Sequence, residues 1–196
     1  MHIILASASP RRKELLQKLF PVFDIIPSRS EEICTKTSPK DIVLELSEQK
    51  AEEIRQTFKN TDNYLIIGAD TVVSWKGKVL GKPRNEQDAK RMLAMLSDDT
   101  HQVYTGVTLL YSKSGRKERL QFAECTHVKF YPLLEAEIDA YVKSGEPMDK
   151  AGSYGIQGAG GRFVEKIEGD YQNVVGLPVA KIYQVLKKID DFALPF

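Results

Sequence analysis

Apolar residues along the chain alternate between strand-like runs and helix-like stripes joined by short polar connections, the pattern of a layered α/β or α+β domain. Ile3-Ile4-Leu5-Ala6 predicts a first strand. Ser9-Pro10 then opens a helix, with Ser9 as its cap, Pro10 at its first position and Leu15, Leu16 and Leu19 as its buried stripe, and Pro21 stops it. Residues 22–26 predict a second short strand, and the polar segment 28–39 that follows is a candidate functional loop. Ile42, Val43, Leu46 and Ile54 predict a helix over 41–58. Tyr64-Leu65-Ile66-Ile67-Gly68-Ala69 is a continuous apolar run, as expected of a strand buried on both faces, and it ends at Asp70. Residues 72–75 continue as strand to a turn at Lys76-Gly77.

The second half repeats the alternation without any repeat period. Ala89, Met92, Leu93 and Leu96 predict a helix over 86–97. Strands are expected over 102–111 and 118–131, joined by the hairpin signal Ser112-Lys113-Ser114-Gly115. A helix over 134–144 buries Leu134, Ile138, Tyr141 and Val142. A glycine-rich stretch over 152–161 leads to a strand over 162–167 and to a last helix from Pro178, with Val179, Ile182, Tyr183 and Leu186 inward.

Composition narrows the class. At 196 residues the chain suits one domain over 1–196, or two small lobes, with enough length to bury a core. Its 28 Lys+Arg against 27 Asp+Glu give a net charge of +1, which argues against a general nucleic-acid binder. The longest apolar stretches, such as 65–67 and 174–180, fall far short of the roughly 20 residues that cross a bilayer, so no membrane partner is expected. Cys34 and Cys125 form no Cys-x-x-Cys, and residues 1–5 lack the basic region and apolar length of a leader, so a reducing, cytoplasmic location is expected.

Six features carry candidate chemistry. In Ser7-Ala8-Ser9-Pro10-Arg11-Arg12-Lys13, three cations crowd a helix start whose N–H groups are already positive, which costs roughly 0.3–1 kcal/mol per charge. A bound phosphate would reverse that sign, with the Ser7 and Ser9 hydroxyls and the arginine forks as donors; a solvated basic turn is the plainer reading. The segment is not a Walker loop, because Gly-x-x-x-x-Gly-Lys-Ser/Thr occurs nowhere. Lys50 stands between Leu46 and Ile54 on what should be a buried stripe, so it either snorkels outward or points at a buried anion.

Asp70, at the end of a buried strand, occupies the place where open α/β sheets put reacting groups; there it would bind a divalent metal, take a proton from water, or simply cap a turn. Gly81-Lys82-Pro83 sets a lone lysine in a stiffened turn, and Glu31-Glu32 offers metal-binding oxygen or mere solvation. The stretch 147–158 combines glycines with an amide and a phenol, which suits a planar polar ligand, although Gly-x-Gly-x-x-Gly is absent. His2, His101 and His127 have neither metal-ligand spacing nor a partnered nucleophile, and are expected to be structural or superficial. A phosphate ester with a metal ion satisfies these features together.

Taken in order, Leu5-Ala6-Ser7-Ala8-Ser9-Pro10-Arg11-Arg12, Glu31-Glu32, Lys50-Ala51, Gly68-Ala69-Asp70-Thr71, Gly81-Lys82-Pro83, the run Asp149-Lys150-Ala151-Gly152-Ser153-Tyr154-Gly155-Ile156-Gln157-Gly158 and Val174-Val175-Gly176-Leu177-Pro178 resemble the Maf family of nucleoside triphosphate pyrophosphatases. The resemblance spans residue 3 to about 186. It implies an elongated α/β fold with a mixed, strongly bent sheet flanked by helices and a cleft between two lobes, similar to inosine triphosphate pyrophosphatases. It implies cleavage between the α and β phosphates of a nucleoside triphosphate with a divalent cation, Mg²⁺ or Mn²⁺. The family's proton acceptor falls on Asp70 and its phosphate-binding cations on Arg11, Arg12, Lys50 and Lys82, with Glu32 and Asp70 as the expected metal ligands.

Three positions separate family branches. Arg11, Thr71 and Gln157 side with the branch acting on dTTP and UTP, whereas the 7-methyl-GTP branch carries Trp, Gln and Glu. A neutral amide both donates and accepts on a uracil or thymine edge, while a carboxylate only accepts. One departure is Ser153, where alanine is commoner. Modified pyrimidine triphosphates, the 7-methyl-GTP activity, a non-catalytic regulator of cell division and a homodimer remain alternatives or additions at this level.

Overall fold

The structure is a computed structural model that describes residues 1–58, 63–189 and 192; the expected domain over 1–196 extends outside the described residues at 59–62, 190–191 and 193–196. The apolar run at 64–69 lies inside the sheet. The first strand, β1 (His2–Leu5), is followed by α1 (Pro10–Gln17), β2 (Asp24–Ile25), α2 (Pro39–Thr57) and the long β3 (Tyr64–Trp75). β1 lies parallel to both β2 and β3, with Ile4 opposite Asp24 on one side and Ile66 on the other. Next come β4 (Lys78–Leu80), α3 (Glu86–Leu96), β5 (Thr100–Lys113), β6 (Arg116–Phe130) and α4 (Glu135–Lys143). After three single turns of 3₁₀ helix the chain ends in β7 (Val164–Glu168), α5 (Tyr171–Val175) and α6 (Val179–Leu186). Among the described residues the strands form one seven-stranded mixed sheet, in the order β2-β1-β3-β5-β6-β7 with β4 antiparallel on β3. This is the mixed α/β class expected.

The chain divides into two compact units. The first comprises Met1–Asp70, Thr105–Glu124 and Gly176–Phe196, and the second Thr71–Tyr104 and Cys125–Val175. In the first, Ile4, Ala6, Ala51, Ile54, Tyr64, Ile66 and Leu110 form a core cluster between the sheet and α2. That contact is unusually close. A Cβ at Gly68 would stand 2.2 Å from the Ser47 carbonyl oxygen, and one at Gly106 2.2 Å from that of Val43, so these two glycines let the α2 backbone lie directly on β3 and β5. In the second unit α3 and α4 pack against each other and on the sheet through Ala89, Met92, Leu93, Leu96, Ile138 and Val142. The aromatic rings of Phe130, Tyr154 and Phe163 lie beside them.

Several boundaries differ from the sequence expectation. α1 ends at Gln17 rather than at Pro21, because a tighter turn follows in which the Leu19 and Phe20 amides both reach the Leu16 carbonyl. α2 begins at Pro39 rather than at 41, capped by Ser38, whose side chain accepts from the Asp41 amide. It repeats the Ser-Pro start of α1. The strand expected over 22–26 shrinks to two residues at the edge of the sheet. The long hairpin is tighter than expected: β5 and β6 leave only Ser114-Gly115 between them, both with positive φ (52° and 79°). The strand expected from 162 starts at Val164, because Arg162 and Phe163 belong to the preceding 3₁₀ turn. α5 was not anticipated; Gly176, at φ 128°, and Pro178 separate it from α6.

Candidate functional site

In the first unit, the β1–α1 connection, the start of α1, the segment 28–36, α2 and β3 carry seven of the sequence-predicted residues. Ser9 caps α1 and its hydroxyl accepts from the Arg12 amide at 3.4 Å. The hydroxyl of Ser7, a buried residue, accepts from the Ser9 amide and from Arg12 Nη1, each at 3.3 Å. Arg12 Nε donates to the Gly176 carbonyl at 2.9 Å, so the start of α1 is tied to the turn before α6. Burial lowers the pKa of the Arg12 guanidinium, against the pull of the Asp70 carboxylate, and Arg11 lowers it further. Arg11 is half-buried beside it.

Lys50 is not a snorkelling lysine. Its ammonium lies 2.5 Å from Asp70 Oδ1 and 3.0 Å from Glu32 Oε1, with the lysine side chain only 13% exposed and that of Asp70 12%. Of the two readings left open by the sequence, the buried anion is therefore the right one, and the anion is the chain's own Asp70. Gly68 explains the meeting. It seats α2 on β3 between Ser47 and Ala51, and Asp70, two residues along the strand, shares its face. Asp70 itself does not stand at a strand end as the sequence reading has it. β3 runs on to Trp75, but the β1 ladder reaches only Ile67 and the β4 ladder begins only at Val73. Asp70 thus sits where neither of these neighbours is paired to its strand.

Glu32 lies on a segment of no regular structure, and α2 holds it. Glu45, Gln49 and Glu53 occur every four residues, so they form a row along one side of the helix. Glu53 accepts from Ser28 Oγ at 2.5 Å, the Arg29 amide at 3.0 Å and the Ser30 amide at 3.2 Å. Gln49 accepts from the Ile33 amide at 3.2 Å and donates to the Ile33 carbonyl. Glu45 accepts from the Thr35 amide at 2.9 Å, from its hydroxyl at 3.0 Å and from Cys34 Sγ at 3.1 Å. The Ser28 hydroxyl and the Arg29 amide together pull the Glu53 carboxyl down to about 2. The sequence reading missed this row; its signal was the polar spacing beside Leu46, Lys50 and Ile54.

An open hollow of about 290 Å³ adjoins Lys50, with Glu31, Glu32, Glu52 and Glu53 among its lining residues. Four carboxylates against one ammonium make this side of the site hostile to a bare polyphosphate and favourable to a cation. Among the described residues no group of three or more His, Cys, Asp or Glu gathers as a preformed metal cage. Asp70 and Glu32 nevertheless fit a divalent ion of the Mg²⁺ or Mn²⁺ kind, because both offer hard oxygen to a single positive charge. Such an ion needs only one or two carboxylates when phosphate oxygens complete its shell.

The second unit carries the other three predicted residues. Thr71 follows Asp70 on β3 and is half-buried, Lys82 is exposed in the turn between β4 and α3, and Gln157 is exposed in the glycine-rich segment. The last two segments are tied together, because the Gly152 amide donates to the Gly81 carbonyl at 3.1 Å. His101 is fully buried, with Nε2 2.9 Å from the Tyr154 hydroxyl, while His2 and His127 are exposed, in line with structural or superficial roles. Among the described residues no helix is long and apolar enough to cross a membrane.

A family model described as Maf-like protein matches residues 2–189. A dTTP/UTP pyrophosphatase of Agathobacter rectalis is 52% identical over 198 residues, covering 95% of this chain and 97% of the relative. One from Carboxydothermus hydrogenoformans is 52% identical over 188 residues, covering 96% and 98%. One from Bacillus cereus is 50% identical over 189 residues, covering 96% and 95%. Among solved structures, a HAM1 protein from Coxiella burnetii matches with a TM-score of 0.51 at 13% identity, covering 96% of this chain and all of that one, a likeness of fold alone.

Proposed function

Because the chain belongs to the Maf-like protein family, we propose that it hydrolyses dTTP and UTP to the monophosphate and pyrophosphate. The observation that carries this reading is Lys50 joining Asp70 to Glu32 in the unit where Ser7, Ser9 and Arg12 surround the start of α1. The relatives at about 50% identity over nearly the whole chain supply the substrate class.

In the proposed reaction the α–β anhydride breaks, the oxygen of one water enters the monophosphate, and Asp70 accepts the proton that water gives up. Arg12 and the Ser7 and Ser9 hydroxyls meet phosphate oxygens at the helix start, where the α1 amides add their own positive pole. Lys50 has three N–H donors, and Asp70 and Glu32 engage two of them. The third suits a phosphate oxygen, so one ammonium orients the base and touches the substrate. Lys82 adds a further cation for the polyphosphate. Glu32 and Asp70 are the residues that would hold a divalent cation, which supplies charge neutralisation and Lewis acidity at the phosphates. Arg11, Thr71 and Gln157 select the pyrimidine.

The test is a product-resolved assay over dTTP, UTP, CTP, dATP, GTP and 7-methyl-GTP, with Mg²⁺ or Mn²⁺. Pyrophosphate released over many turnovers from dTTP and UTP, ahead of the others, is the expected result. Preference for 7-methyl-GTP overturns the substrate assignment, orthophosphate as first product overturns the cleavage site, and binding without turnover makes the protein a nucleotide sensor.

A further inference from the structure

The glycines around Gln157 look, in the sequence, like a flexible ligand cradle. In the second unit they are instead wrapped around a carboxylate of the chain itself. Glu146 Oε1 accepts from the Tyr141 hydroxyl at 2.9 Å and from the Gly160 amide at 3.4 Å, and Oε2 accepts from the Ala159 amide at 3.0 Å. The Tyr141 oxygen in turn accepts from the Gly155 amide at 3.1 Å. One carboxylate–phenol pair therefore holds both ends of the turn 155–160. Gln157 lies between the two anchored ends and is exposed.

The glycine positions follow from this grip. A Cβ at Gly158 would stand 2.2 Å from Glu146 Oε1, and one at Gly160 2.6 Å from the Tyr141 oxygen. At Gly155 it would meet Lys150 Cε at 3.0 Å and Glu146 Oε1 at 3.1 Å. The backbone must come this close for its amides to reach the carboxylate, and a side chain would push it away. Burial works against the charge on Glu146, but the Ala159 amide and the Tyr141 hydroxyl outweigh it and hold the carboxyl below its usual range. Tyr141 is fixed from its other side by the Phe163 ring, edge-on at 5.1 Å.

We propose that Glu146, acting with Tyr141, is a positioning residue for pyrimidine selection, holding the 155–160 turn so that the Gln157 amide meets the base edge in one orientation. The inference rests on the reading of Gln157 given above. An amide distinguishes uracil from cytosine only if its oxygen and nitrogen are not free to exchange places, since the two bases invert donor and acceptor at that edge. A loosened turn removes that constraint without touching the groups proposed for phosphate chemistry.

UTP and CTP are the probes, because they differ only at this edge. Tyr141→Phe keeps the ring packing and removes the oxygen that links Glu146 to Gly155. It is expected to lower the UTP/CTP ratio of kcat/KM by about tenfold, through KM for UTP, while kcat on UTP stays within about threefold. Glu146→Ala should do the same and Glu146→Gln should restore part of the loss; if Glu146→Ala fails to fold, Tyr141→Phe decides. In a Gln157→Ala background, Tyr141→Phe should change the ratio no further. An unchanged ratio in Tyr141→Phe, equal losses on both nucleotides, or additivity with Gln157→Ala overturns the positioning role while leaving the proposed reaction standing. Gln157→Ala with an unaltered ratio overturns the reading of Gln157 and this inference with it.

Discussion

Lys50 shows how much one side chain can organise. Two carboxylates facing each other across a half-buried site repel, and the ammonium between Asp70 and Glu32 turns that repulsion into two attractions. Asp70 is then kept in place by the helix that carries Lys50. Replacing it with asparagine preserves shape and an acceptor oxygen for Lys50 but removes the basic group. Asp70→Asn should therefore cost about 10²–10⁴-fold in the rate of pyrophosphate release with little change in melting temperature. Unimpaired turnover would take Asp70 out of the mechanism. The residue types at this site were legible in the sequence: a lysine on an apolar stripe and an acid after an apolar run are both conspicuous. Their mutual contact was not, because it depends on Gly68 bringing a helix onto a strand, and proximity across elements leaves no local pattern.

At the scale of elements, α2 does two jobs with adjacent rows. Leu46 and Ile54 flank Lys50 on the row facing the sheet, while Glu45, Gln49 and Glu53 bind the backbone of segment 28–35 and so present Glu32 to Lys50. An exposed segment with this many hydrogen bonds to one helix opens less readily than a free loop. Gln49→Leu removes both bonds to Ile33, the central pair. Trypsin should then cut after Arg29 or Lys36 about tenfold faster than in the parent, with helix content unchanged. Equal cleavage rates would show that the row does not hold the segment. The sequence marks this segment as a candidate functional loop from its polarity, and it also contains the Ser38-Pro39 start of α2. What sequence pattern does not reveal is the tether, since side chain to backbone bonds across loop and helix obey no periodicity.

For the molecule as a whole, the net charge of +1 averages over unlike regions: an acidic hollow beside Lys50 in one unit and an uncharged glycine turn closed on the Glu146 carboxylate in the other. A pH dependence of stability follows from a buried group in the second unit. His101 is enclosed by the Tyr154 hydroxyl at 2.9 Å and the Phe130 ring, edge-on at 4.9 Å, and burial brings its pKa from 6.5 down to about 4, against the opposing charge of Asp99. Between those values the unfolded chain binds a proton that the folded chain refuses, so stability is full above pH 6.5 and falls as the pH drops toward 4. The loss amounts to about 3 kcal/mol across that window. Glu53 and Asp99, both held at about 2, contribute at lower pH: their stabilisation is present above the ordinary carboxylate range and is lost as the pH falls through about 2. Chemical denaturation at pH 7 and pH 5 should thus show a clear drop, and the drop should shrink in His101→Gln. An imidazole that titrates near 6.5 by NMR in the folded protein would contradict this account.

Composition and periodicity by themselves determined a layered domain of alternating helices and strands, α/β or α+β, the order of its main elements, and the residue types at the site, because burial of apolar stripes is a local and repetitive signal. They also determined that no described helix would span a membrane, since hydropathy is additive along the chain. Only the tertiary structure decided that Lys50 meets Asp70 and Glu32, that Asp70 stands within β3 rather than at its end, and that the glycines at 155–160 enclose Glu146 instead of an outside ligand. Each of those depends on two segments far apart in the chain approaching within a hydrogen bond, and such pairings are selected by the packing of the whole core, to which no short stretch of sequence has access.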